Sequence, residues 1–240
     1  MTTKQVKSTV GRKIDKSFTQ EFRYRHRNPY HHKLKEFDDF VLRDDEGENY
    51  RGVWNQKIFK KQAPLKVEIG SGYGHFMQEY CENHPEVNFV GIDFRFKRSF
   101  KLAKKLKNHS HKNFRYLRAK GERIGFLFEE NEIDEIFYFF PDPWPKKKHR
   151  KKRLFQPEFL KMAHQILKPG GRFLIKTDHS GYSEWIKEEI DKQDLFKLEF
   201  MSQHLWKEHP LHELCLYKTK FEKIFLEKNK PIYAFILINS

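Results

Sequence analysis

From Pro64 onward, short apolar runs alternate with amphipathic stretches, and this alternation limits the chain's architecture more than any other feature. A strand that is apolar along its whole length must be covered on both faces, so the pattern belongs to a largely parallel sheet flanked by helices. Strands are expected at Leu65–Ile69, Val87–Ile92, Phe114–Leu117, Ile133–Phe140 and Gly171–Lys176. Helices are expected between and after them, at His75–Glu82, Phe96–Lys107, Glu122–Glu129, Gln156–Leu167 and Tyr182–Asp191. In the fourth helix Phe159, Leu160, Ala163, Ile166 and Leu167 recur at three- and four-residue spacing, which turns one face toward the sheet. Lys168-Pro169-Gly170-Gly171 then stops it. A late apolar run, Ile232–Ile238, closes the sheet as an antiparallel last strand. The fold class is therefore α/β, doubly wound and mostly parallel, and its ligands belong at the carboxyl ends of the strands.

The 240 residues bury a core without help from disulfides or a structural metal. Two cysteines, Cys81 and Cys215, stand far apart with no CxxC, which suits a reduced, cytoplasmic chain. No apolar run approaches the roughly 20 residues of a membrane span. The N-terminus also lacks the apolar stretch of a secretory signal. Residues 1–63 show no sustained period and read as a basic extension, partly disordered at its start, ahead of a catalytic domain at 64–240. Monomer and homodimer are both compatible with this reading.

Charge is distributed unevenly. Residues 1–35 carry ten Lys/Arg against two acids, residues 146–153 seven against none, and these segments account for the whole net charge of +15. Charge so concentrated builds a field that attracts a polyanion, with anionic lipid and plain solvation as the alternatives. Between Phe18 and Tyr30 aromatic rings and His26 are interleaved with Arg23, Arg25 and Arg27, which suits stacking and phosphate contact together and favours nucleic acid.

The first strand runs into Val67-Glu68-Ile69-Gly70-Ser71-Gly72-Tyr73-Gly74. Gly70 and Gly72 let the backbone turn sharply and approach a ligand closely. The GxGxG spacing differs from the dinucleotide fingerprint, whose third glycine falls one residue later. Asp93 ends the second strand, where a carboxylate suits two ribose hydroxyls. Together these fit S-adenosylmethionine better than a nicotinamide dinucleotide, although Arg95 stands where it would meet a 2′-phosphate and keeps NADP open.

The fourth strand ends in Pro141-Asp142-Pro143-Trp144-Pro145, followed at once by Lys146, Lys147, Lys148, His149, Arg150, Lys151, Lys152 and Arg153. Three prolines in five residues stiffen the turn and hold Asp142 and Trp144 at the ligand edge of the sheet. There a carboxylate and an indole suit a flat base with N–H donors, and the cations suit the phosphates around it. A non-catalytic RNA-binding module would account for the charge but not for the glycine turn and Asp93.

The segment FPDPWPKKKHRKKR, continued by Leu154-Phe155-Gln156-Pro157-Glu158-Phe159-Leu160, resembles the signature of the bacterial tRNA (guanine-N7)-methyltransferases. Val67–Gly72, Lys176-Thr177-Asp178-His179 and Thr219-Lys220-Phe221-Glu222 agree with it. The resemblance spans Lys66 to Glu222 and implies a Rossmann-like class I methyltransferase sheet with S-adenosylmethionine as cofactor. The implied activity is methylation of guanosine 46 in the tRNA variable loop. It further implies cofactor contacts at Glu68, Gly70, Gly72, Asp93 and Asp142, and a catalytic or substrate-orienting role for Asp142. Lys146, Asp178, Thr219, Lys220, Phe221 and Glu222 would bind tRNA or its target guanosine. Lys147, Lys148, Arg150, Lys151, Lys152 and Arg153 would contact RNA. The family usually carries an acidic residue near the adenine where this chain has Lys120, with Glu122 two positions on.

Thirteen histidines include no HExxH, and His209-Pro210-Leu211-His212 has a proline inside it, so no metal is expected. His31 and His32 read as a surface pair. Cys215 reads as buried or inert, since nitrogen methylation needs no thiol nucleophile.

Overall fold

The computed structural model describes residues 14–107 and 113–240. Among these residues the strands are β1 (Val41–Arg43), β2 (Leu65–Ile69), β3 (Asn88–Ile92), β4 (Phe114–Arg118), β5 (Ile133–Phe139), β6 (Leu167–Thr177), β7 (Phe196–Ser202) and β8 (Tyr233–Asn239). The α-helices are α1 (Pro29–Lys33), α2 (His75–Asn83), α3 (Phe96–Leu106), α4 (Ile124–Leu127), α5 (Pro157–Ile166), α6 (Ser180–Ile190), α7 (Leu205–Glu208) and α8 (Lys220–Glu227). One sheet takes the order β1-β4-β3-β2-β5-β6-β8-β7. All neighbours are parallel through β6, and β8 runs antiparallel to both β6 and β7. The expected antiparallel last strand is β8.

Side chains of successive strand residues divide between two apolar clusters. Val67, Val90, Ile136, Tyr138 and Phe173 join α5 and α6 in one. Phe89, Phe137, Phe139 and Leu174 join α2 and α3 in the other. This is the period-two alternation of a sheet buried on both faces. In α5, Pro157 takes the first turn and Glu158 favours the helix N-terminus, while Phe159, Leu160, Ala163 and Ile166 are buried. Leu167 belongs to β6 rather than to the helix, because it pairs with Ile133.

Residues 14–63 share this core. β1 lies parallel to β4 at the sheet edge. Trp54 is fully buried and donates from Nε1 to the Leu127 carbonyl at 2.8 Å. Disorder expected at the chain start falls on residues 1–13, outside those described. No described helix is long and apolar enough to cross a membrane.

The chain enters the sheet centre at β2, with β3 on one side and β5 on the other. Their crossovers diverge there, so the loops after β2, β3 and β5 part around a crevice at the carboxyl ends.

Candidate active site

The glycine turn after β2 forms one wall of that crevice. Amides of Gly70 and Ser71 both donate to the Ile92 carbonyl, at 2.8 and 2.9 Å, which ties the turn to the end of β3. Gly70 has φ +90°, and a Cβ there would meet nothing within 4 Å, so its Hα face opens onto the cleft. Gly74 precedes α2 at φ +66°, where a Cβ would stand 2.8 Å from the Leu102 side chain. Bare backbone is thus required on both counts.

Asp93 lies at the floor, almost buried. Its Oδ2 accepts from the Gly72 amide at 3.0 Å and Arg98 Nη1 at 3.2 Å, and its Oδ1 from the Arg95 amide at 2.9 Å. These three donors fix the carboxylate and occupy most of its roughly four acceptor sites, which leaves Oδ1 able to take one further hydrogen bond, as from a ribose hydroxyl. Glu68 sits deeper, outside the cleft lining. Its carboxyl is buried, Oε2 has no partner among the described residues, and burial raises its pKa to about 8, with Asp93 adding to the shift and Ser71 and Lys176 opposing it. Gly72 supports Asp93 through its amide and is likewise not part of the lining.

The opposite wall is the proline-tryptophan turn after β5. Phe140 and Trp144 adopt φ of +51° and +43°, a region that costs non-glycine residues roughly 1–3 kcal/mol each. Arg153 holds the turn in place. It donates from Nε to the Pro143 carbonyl at 2.8 Å and from Nη1 to the Gly181 carbonyl at 3.2 Å, with its guanidinium over the Tyr182 ring. Asp142 is exposed at the rim and paired with Arg95 at 3.3 Å, and Lys152 Nζ lies 4.7 Å from the Trp144 ring centre. A cleft of about 1630 Å³ joins the walls, lined among others by Gly70, Asp93, Asp142, Trp144, Lys152 and Asp178.

Residues 62–235 match a family described as putative methyltransferase. A tRNA (guanine-N(7)-)-methyltransferase of Enterococcus faecalis is 35% identical over 187 residues, covering 78% of this chain and 85% of that protein. The one from Lactobacillus acidophilus is 34% identical, over 76% of this chain and 83% of its own length. The chain belongs to the tRNA (guanine-N(7)-)-methyltransferase family. A bifunctional glycosyltransferase/methyltransferase of Fusobacterium nucleatum is 31% identical over 88% of this chain, which spans 32% of that longer protein. Among solved structures, the 16S rRNA methyltransferase KamB aligns at TM-score 0.54 and 15% identity, over 75% of this chain and 90% of that one, which speaks to the fold alone.

S-adenosylmethionine is thus the cofactor of this methyltransferase, and the open Gly70 cradle beside a fixed Asp93 carboxylate fits it. Of the remaining residues singled out by sequence, Asp178, Phe221, Lys151 and Lys152 reach the cleft. Lys147, Lys148 and Arg150 lie on a 3-10 turn, Lys147–Lys152, that has no buried residue, and Lys146 precedes it. Others turn inward. Arg153 is 1% exposed and is an internal anchor of the turn rather than a surface cation. Glu222 is fully buried, accepting from Lys176 Nζ at 2.6 Å and Trp206 Nε1 at 2.9 Å, while Thr219 and Glu222 cap α8 reciprocally. Lys120 donates to Ser17 Oγ at 2.6 Å and approaches Glu122 at 3.9 Å, so the position turns toward the N-terminal segment.

That segment supplies lining residues which sequence reasoning assigned to RNA. Phe18, Asn28 and Tyr30 line the cleft, and the Tyr24 hydroxyl accepts from the Lys120 amide at 3.2 Å. Their aromatic-basic composition was the available signal, but it carries no information about distance in space. His31 and His32 part company: His31 packs inward against Asp44, and His32 is exposed.

Proposed function

We propose that this enzyme methylates N7 of guanosine 46 in the variable loop of tRNA, acting in the cytoplasm. The reading rests on one observation: the glycine cradle with Asp93 and the rigid Asp142–Trp144 turn face each other across a single cleft. The family relationship supports the base and the atom. Two free cysteines, both buried, and a tRNA substrate support the cellular setting.

Bound S-adenosylmethionine supplies the electrophilic methyl group. Guanine N7 carries an available lone pair at neutral pH, so the residues need not generate a nucleophile. Their task is alignment, which is worth roughly 7–11 kcal/mol in favourable cases. Asp142 accepts hydrogen bonds from guanine N1–H and the N2 amino group in exchange for its contact with Arg95. Those donors become more acidic as positive charge passes onto the purine, so the bonds strengthen toward the transition state. Trp144 offers a face for the base, and Asp178 and Phe221 close the far side. The exposed cations of the 3-10 turn, with Lys146, hold phosphates flanking the target.

Incubation with tRNA and methyl-labelled cofactor, followed by mapping of the modified nucleotide, tests the reading. A single N7-methylguanosine in the variable loop is expected. Label at another nucleotide or atom overturns the assignment.

A further inference from the structure

At the sheet edge away from the glycine turn, three potential metal ligands converge. His26 Nδ1 and His31 Nδ1 each lie 3.0 Å from Asp44 Oδ2 and 3.4 Å from one another. Ligand atoms of a tetrahedral zinc at about 2.0–2.1 Å stand roughly 3.3–3.4 Å apart. The triangle therefore has nearly the dimensions of one face of such a tetrahedron. From this geometry we propose that His26, His31 and Asp44 form a binding site for a divalent transition-metal cation of the imidazole-preferring class, with zinc as its type.

The surroundings suit that assignment. The second Asp44 oxygen, Oδ1, accepts from the buried Arg118 guanidinium, which fixes the carboxylate and leaves Oδ2 to the cation. Second-sphere donors of this kind orient ligating carboxylates. Asp45 Oδ1 stands 4.0 Å from His26 Nε2 and adds a second carboxylate's negative charge beside the site. Arg43 donates to the His31 carbonyl at 3.0 Å and is itself paired with Glu46, so it adds little uncompensated positive charge. A fourth position toward solvent is left to water, since the His26 ring is 43% exposed.

The site would act as a clasp. His26 and His31 bracket Asn28 and Tyr30, which line the cleft, and Asp44 follows β1 directly. A bound cation would cross-link the segment over the cleft to the sheet edge, binding the folded state and not the unfolded one.

The full chain, stripped with chelator and exchanged into clean buffer, is titrated with Zn²⁺ by calorimetry and with Co²⁺ by visible absorption. One equivalent is expected, with the d–d bands of a four- or five-coordinate ion and no thiolate charge-transfer band. Zn²⁺ also raises the melting temperature. His26→Ala and His31→Ala each weaken binding by at least about tenfold, whereas His32→Ala leaves it unchanged. Because His26 is partly exposed, H26A tests the site even where H31A impairs folding. Absence of uptake, uptake that survives H26A, or a thiolate-dominated Co²⁺ spectrum overturns the proposal.

Discussion

Asp142 at the rim of the cleft and Glu68 beneath it are both carboxyl groups, yet their surroundings give them opposite properties. Asp142 is exposed and, among the described residues, paired with Arg95, a partner it can exchange for a base. Asp142→Asn preserves shape and removes the charge, so single-turnover methylation should slow by roughly 10²-fold while tRNA affinity changes less than about threefold. An unchanged rate under saturating cofactor would remove the electrostatic role. Glu68 is buried with its pKa raised to about 8, above the ordinary value of 4.5. A carboxyl shifted upward binds its proton more tightly when folded. Its stabilising contribution is therefore complete below pH 4.5 and is lost as pH rises through 8. Glu68→Gln should flatten that decline and, at pH 9, exceed the wild type by about 2 kcal/mol, roughly 4–8 °C in Tm. Thermal melts across pH 5–9 check this, and parallel curves would refute it. That Gly70, Asp93 and Asp142 stand at the cleft was legible in the sequence, because strand ends announce themselves. The inward turns of Glu222 and Arg153 were not, since a charged residue in a polar run looks the same whether it faces water or a buried partner.

In the proposed function the 3-10 turn Lys147–Lys152 and the proline turn before it have separate tasks, and Arg153 joins the two turns. Replacing Lys147, Lys148, Arg150 and Lys151 with Ala should weaken tRNA binding and reduce the slope of log K against log salt by about 3, at roughly 0.7–0.9 per phosphate contact. Arg153→Leu should instead leave that slope unchanged and lower the single-turnover rate, because it frees the Pro143 carbonyl and lets the strained turn relax. Filter binding at several salt concentrations, beside single-turnover rates, separates the two; coincident effects would mean that the helical turn and the proline turn act as one. β2 and β5 were readable almost to the residue because turn signals bound them, Pro64 and the glycine turn around β2 and Pro141 just after β5. β7 was missed because it is an edge strand that alternates apolar and charged residues, as β2 does, but has no glycine or proline beside it to mark its ends. β1 is three residues long, too short for any period, and α8 is eight residues headed by a capping box of Thr219 and Glu222, two of the residues that the resemblance assigns to the substrate.

At the scale of the whole molecule, the boundary drawn at residue 63 divides a sequence more than it divides a core. Trp54, Leu34, Phe37, Val41 and Leu42 are buried with residues of the sheet, and β1 completes its edge. Arg123 donates to the Thr19 carbonyl at 2.6 Å, so the segment is hydrogen-bonded as well as packed. A chain beginning at Pro64 would expose the partners of all these side chains at once. Trp54→Ala alone should cost about 3–5 kcal/mol, the penalty of emptying a large buried site, with the Leu127 carbonyl left unpaired as well. At roughly 2–4 °C per kcal/mol for a chain of this size, its Tm should fall by about 6–20 °C. The truncated chain should then be insoluble or molten, with lost near-ultraviolet dichroism and dye binding to exposed apolar surface. A folded, cooperative 64–240 fragment that still bound S-adenosylmethionine would show instead that the sheet is complete without β1 and that the N-terminal segment is a removable cover.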